Sequence, residues 1–228
     1  IVSPRIFANS FYNNKDIIFM SLSIINLYIA INFLEKQNYK NAVIFAIVSA
    51  LAINLRILGL ILPTLVLFIY IINILRAKNN KKKILQPLIL FLILIPFFIF
   101  LFWPYLWNNP LENLLYSLKY LSDHILGIHT YYLGHYFFST NPPWHYHLVW
   151  ILVSTPPLYL ALFVIGFIFI IQRITKRLFK IEKNDSYIDL WRGNKELQDL
   201  IFFLTFLIPI IVAIDFGSIS YDGWRHLF

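Results

Sequence analysis

The chain has 228 residues, 59% of them hydrophobic and 13% charged, with a mean hydropathy of +0.69, which excludes an ordinary water-soluble fold. A formal charge of +8 would suggest nucleic acid as a partner in a soluble protein, but in a chain this apolar Lys and Arg report membrane orientation first. Cysteine is absent, so disulfides and thiolate metal sites are excluded and any catalysis rests on carboxylates, His, Arg or hydroxyls.

The sequence opens on Ile1 with no basic-then-apolar leader and stops at Phe228 within a polar cluster. We therefore expect a single transmembrane domain over 1–228, incomplete at both ends. Six hydrophobic segments follow one another: 17–34, 42–55, 60–75, 84–103, 148–171 and 200–214. They predict an all-α integral membrane protein, a multi-span bundle of six transmembrane helices. The second and third segments together make a 34-residue run, about 50 Å as one helix against a hydrocarbon core of about 30 Å. A hairpin of two helices is expected instead. Arg56 is costly at mid-membrane but reaches the interface from a turn, and Gly59 supplies the turn.

With that hairpin, residues 35–41, 76–83 and 172–199 share one side and carry 14 of the 19 Lys and Arg, which makes that side cytoplasmic. The stretch 172–199 is mixed in charge and reads as a solvated cytoplasmic connector. Residues 1–16, the Arg56 turn, 104–147 and 215–228 share the other side, with all six His and, counting Trp103 and Trp150 at the adjoining span ends, five of the six Trp. Six acidic residues inside leave a net +8 there, and five outside leave zero, so the whole excess is an orientation signal. Trp103, Trp107, Trp144 and Trp150 fall where interfacial anchors are expected.

The extracytoplasmic loop 104–147 contains Asn109-Pro110-Leu111-Glu112, a helix start with a capping residue, Pro at the first position and Glu at the third. Leu111, Leu114, Leu115, Leu118, Leu121 and Ile125 follow at helical spacing and predict an amphipathic helix, lying in the interface or against the bundle. Residues 127–144 are rich in Tyr, His and Pro and show no clear periodicity.

The candidate chemistry lies on the outer side. Asp16 immediately precedes the first span, where a carboxylate serves either as a helix cap or as a general base or metal ligand. Arg5 and Arg56 suit bidentate recognition of phosphate oxygens, with headgroup anchoring as the structural alternative; Asn54 adds a polar group beside Arg56. His135, His145 and His147 cluster with Tyr131, Tyr132, Tyr136, Trp144 and Tyr146. His-x-His without a positioned third ligand is a weak metal signal, and hydrogen bonding in a polar cleft or packing of rings on a sugar fits these residues better. Near the end, Tyr221-Asp222-Gly223-Trp224-Arg225-His226 is the densest polar-aromatic cluster. Asp222 and Arg225 either pair structurally, or Arg225 and His226 address an anionic group.

Five stretches, "SPRIFANSFYNNKDIIF", "SALAINLRILGLILP", "FWPYLWNNPLENL", "NPPWHYHLVWILVSTPP" and "YDGWRHLF", together resemble the bacterial membrane glycosyltransferases of the GT-C fold. Within that fold they are similar to the protein O-mannosyltransferases and aminoarabinose transferases of glycosyltransferase family 39. The resemblance implies an enzyme of the bacterial inner membrane with its active face outside. It would transfer a sugar from a polyprenyl-phosphate-linked donor to a protein or lipid acceptor. Under it Asp16 is the acidic residue at the outer start of a mid-chain helix, Arg56 the basic residue of the following hairpin, and Arg225 a partial match to the arginine that meets the carrier phosphate. The family's principal catalytic carboxylate lies in a first outer loop behind a first transmembrane helix. These 228 residues hold neither, so Asp16 takes a supporting role in this reading. No organic cofactor is implied, and a divalent cation is left open; the partners would be the lipid-linked donor, the acceptor and membrane lipids, not nucleic acid. A transporter or flippase is the first alternative. Transporters tend to show internal repeats and ionisable residues deep in broken helices, neither of which this chain shows. A non-catalytic membrane subunit is the second alternative.

Overall fold

The computed structural model of the protein describes residues 4–77, 81–123, 128–179 and 191–215. A short helix α1 (Pro4–Tyr12) leads into α2 (Asp16–Glu35), α3 (Tyr39–Leu55), a 3-10 turn (Ile57–Leu60), α4 (Ile61–Arg76) and α5 (Lys81–Phe102). A second 3-10 turn (Pro104–Leu106) precedes α6 (Pro110–Asp123), a hairpin of β1 (His129–Tyr132) and β2 (His135–Phe138), α7 (Tyr146–Ser154), α8 (Pro157–Phe179) and α9 (Asn194–Asp215).

The helices α2 to α5 form the core, and their alternating direction follows from where their rings meet. Phe33 near the end of α2, Phe45 near the start of α3, Tyr70 near the end of α4 and Phe91 in the first half of α5 pack together. Ring centroids are 5.6 Å apart for Phe33–Phe45, 5.0 Å for Phe33–Tyr70 and 4.9 Å for Phe45–Phe91. The ion pair of Asp16 with Arg56 joins the start of α2 to the end of α3, and Tyr70 donates to the Ile84 carbonyl near the start of α5, so the helices run up and down in turn and the Arg56 hairpin is present. Helix α3 lies between α2 and α5. Its Ala42, Ala46, Ser49 and Ala50 are fully buried, because small side chains let helix backbones approach closely within a membrane. Asn38 starts α3 by accepting the Asn41 backbone N–H at 2.8 Å. Midway along the bundle, the Ser49 hydroxyl donates to Asn26 Oδ1 at 3.1 Å, pairing two buried polar groups.

The turn between α3 and α4 depends on Gly59. A Cβ there would stand 2.7 Å from the Ala52 carbonyl carbon and the Ile53 nitrogen, because the 3-10 turn folds back against the last turns of α3. Arg56 leaves the helix in an extended conformation (φ −149°, ψ 137°), which swings its side chain out of the α3 register.

At the end marked by Phe33, Arg76 donates to the Trp191 carbonyl at 2.9 Å, with its guanidinium 4.9 Å from the Trp191 ring centre. Trp191, just before α9, is buried against the core. Gln198 of α9 donates to Glu35 at 2.8 Å, and Arg173 pairs with Asp199. These contacts dock α9 on α4 and α8, helped by Phe163 and Phe167 packing on Phe206 and Phe203.

Five stretches are long and apolar enough to cross a membrane among the described residues: Asp16–Glu35, Ile57–Arg76, Lys81–Phe102, Pro157–Lys176 and Asn194–Ile214. Tyr39–Leu55 is a shorter apolar helix. The expected segment 148–171 is not one helix: it begins within α7 and breaks at Thr155-Pro156, where the ring of Pro156 disfavours helical backbone at Thr155 (φ −92°, ψ 132°). The hairpin 129–138 is also additional to the all-helical expectation. Leu133 (φ 49°) and Gly134 (φ 86°) make its two-residue turn, the left-handed pair that joins antiparallel strands without splaying them.

Candidate functional site

Asp16 and Arg56 meet at the end of the bundle opposite the aromatic cluster. Asp16 opens α2 and Arg56 closes α3, and the antiparallel packing of those helices brings the two together as an ion pair. Asp16 is 1% exposed, and the Arg56 side chain 19%. The carboxylate receives a second hydrogen bond from Asn13 Nδ2, at 2.6 Å. Asn13 Oδ1 in turn accepts the Asp16 backbone N–H at 3.1 Å. Of the two readings of Asp16, the capping role falls to Asn13 instead, and the Asp16 side chain is turned toward Arg56. Its charge is supported by the cation, by the Asn13 amide and by the N-terminal end of the α2 dipole, which together offset the cost of burying a carboxylate. Asn54 donates to the Ile99 carbonyl of α5 at 3.4 Å, and its buried Oδ1 has no hydrogen-bond partner among the described residues.

A membrane-level cleft of about 480 Å³ begins one helical turn below this pair. Phe19 and Asn26 of α2, Leu58 of the Arg56 turn, and Phe202, Thr205 and Pro209 of α9 line it. The turn that presents Arg56 thus also forms part of the cleft wall. An apolar chain entering the cleft would have its polar head at the level of the Asp16–Arg56 pair.

A second group of candidates is gathered by the β hairpin and the start of α7. Tyr132 and His135 face one another in register beside the turn. The Tyr132 hydroxyl and His145 Nδ1 are 2.8 Å apart, and the rings of Tyr132 and Phe137 pack on Tyr146 at 5.0 and 5.3 Å. Burial raises the Tyr132 phenol above its usual range, and the Tyr146 phenol adds to the rise. Tyr146 and His147 are buried, whereas Trp144 is 67% exposed and His135 is on the surface. The loop thus separates into an enclosed Tyr132–His145–Tyr146–His147 cluster and an exposed rim. Among the described residues no three of His, Asp and Glu stand together as a metal set. The Arg5 side chain, Asp222, Arg225 and His226 lie outside the described residues.

Sequence reading placed Asp16 and Arg56 on one side but did not pair them, and it missed Asn13 and the hairpin. Asn13 stands three residues before Asp16, a spacing that suits capping. The hairpin signal was Leu133-Gly134 between two aromatic runs, weakened because Leu is unusual at a left-handed position.

Fold and composition thus define a helical multi-span integral membrane protein with a buried acid–base pair at one end of its core. Residues 1–103 of it match the family described as dolichyl-phosphate-mannose-protein mannosyltransferase, glycosyltransferases of the GT-C type. The match runs from α1 to the end of α5, so it contains Asn13, Asp16 and Arg56, and the loop and α7 to α9 follow it. No curated protein and no solved structure matches the chain.

Proposed function

We propose that this protein is a glycosyltransferase that takes a sugar from a polyprenyl-phosphate-linked donor and transfers it to a protein or lipid acceptor on the extracytoplasmic face of the inner membrane. The observation that carries the reading is the buried Asp16–Arg56 pair directly above an apolar cleft, inside the stretch that matches the mannosyltransferase family. In this mechanism the carrier's apolar chain occupies the cleft and its phosphate reaches Arg56. As the acceptor oxygen attacks the anomeric carbon, the bond to the carrier phosphate breaks and the guanidinium stabilises the charge left on the leaving phosphate. Asp16 holds the guanidinium in position, a supporting role, while a separate carboxylate takes the acceptor proton. The exposed rim of the loop, His135 and Trp144, packs on the acceptor or the sugar, and the buried Tyr146 supports that rim from beneath. Arg5, Asp222, Arg225 and His226 are assigned to donor recognition in this reading.

The test is transfer of radiolabelled sugar from a synthetic polyprenyl-phosphate donor by membranes carrying the full gene product. Wild type should transfer label, Arg56→Lys should lose most of the rate, and Arg56→Met nearly all of it. Label that crosses the bilayer still attached to its carrier, without transfer, would establish the flippase alternative instead.

A further inference from the structure

Helix α6 turns Leu111 and Leu115 away from the protein. Leu111 and Leu115, four residues apart and therefore on one edge, are 76% and 65% exposed, although the spacing of apolar residues marks that edge for burial. The neighbouring edge carries Glu112 and Lys119, both exposed. The third face is fixed to the chain just before it: Asn113 Nδ2 donates to the Tyr105 carbonyl at 2.6 Å in the 3-10 turn after α5. Trp107 Nε1 reaches further back and donates to the Phe100 carbonyl in the last turn of α5, at 2.9 Å. Those two bonds tie the start of α6 to the point where α5 ends. There Phe97, Phe100, Leu101 and Phe102 are exposed along a helix apolar enough to span a membrane, so lipid is what covers them. The exposed leucine edge begins within ten residues of that lipid-facing end of α5, on a helix start tied to it by those two bonds.

We propose that α6 lies in the bilayer leaflet at the Asp16 end of the bundle, with Leu111 and Leu115 inserted among the lipid chains, Trp107 at headgroup level, and Glu112 and Lys119 toward water. The occupant of the apolar edge is the lipid bilayer. The arrangement makes α6 an in-plane strap that holds the following hairpin close to the membrane surface, and it stands independently of the reaction catalysed.

Because the chain has no cysteine, single cysteines report position directly. The full chain bearing Leu111→Cys, Leu115→Cys, Glu112→Cys or Lys119→Cys is labelled with bimane and reconstituted into phosphatidylcholine vesicles. Quenching by a nitroxide on the lipid chain is compared with quenching by aqueous iodide, and Ile93→Cys, exposed on α5, sets the full lipid signal. Labels at 111 and 115 should show at least half the lipid quenching of position 93 and several-fold less iodide quenching than those at 112 and 119. Iodide quenching at 111 and 115 equal to that at 112 would overturn the proposal. Protection from both quenchers would overturn it as well, since it would mean that protein covers the edge.

Discussion

At one end of the α2–α5 bundle four aromatic rings close the core, and at the other, about 25 Å away by helix rise along α2, a carboxylate and a guanidinium do so. The rings need only shape complementarity: each removes apolar surface and finds close-packed neighbours. The charges must be desolvated, and their mutual attraction, the Asn13 amide and the α2 dipole offset that cost. An apolar pair of similar volume would close that end at least as stably. Packing alone accounts for the aromatic end; the ionic end, beside which the cleft opens, is the one for which we propose a role in transfer.

Several substitutions would break or sharpen this contrast, beginning with the aromatic end. Phe33→Ala should cost about 4 kcal/mol by opening a cavity among three other rings. Denaturant titration in detergent would check it; a loss below about 1 kcal/mol would mean that the rings are not the main closure. Arg56→Met should cost about 3 kcal/mol, because it strands a buried carboxylate. The double variant Asp16→Leu with Arg56→Met should recover most of that stability, yet no transfer activity; recovery of both would make the pair purely structural. Gly59→Ala should cost about 2 kcal/mol, since the new methyl meets α3 backbone rather than a movable side chain, and it should impair activity by shifting the Arg56 turn.

The smallest effect lies in the loop. Tyr132→Phe should cost about 1 kcal/mol through loss of the bond to His145. Its pH dependence has a definite sign. With a folded pKa above the unfolded value of 10.0, the Tyr132 phenol adds stability that is full below pH 10 and declines as pH rises through the folded value. Unfolding midpoints from pH 9 to 12 should fall more steeply for wild type than for Tyr132→Phe, and parallel curves would show that the phenol is not coupled to folding.

Much of this was legible from local pattern. Apolar runs located the helices, because a bilayer demands long stretches with satisfied backbone and few charges. The cost of Arg56 within a span, with Gly59 close behind, was enough to divide a 34-residue run into two helices. The capping box pattern at Asn109 and the leucine spacing after it located α6. The interruption at Thr155-Pro156 had a visible cause that hydropathy outweighed, and the hairpin had aromatics on both faces, which hides the alternation by which strands are recognised.

The sequence by itself determined that the protein spans a membrane, roughly where its helices run, and that Asp16 and Arg56 belong to one face, because composition and periodicity act within single segments. Tertiary structure alone decided that Asp16 pairs with Arg56, 40 residues away, that Asn13 is the cap, and that Leu111 and Leu115 face outward. Those outcomes depend on how helices approach one another, through the small residues of α3 and the tight turn at Gly59, and such contacts leave no period in the chain.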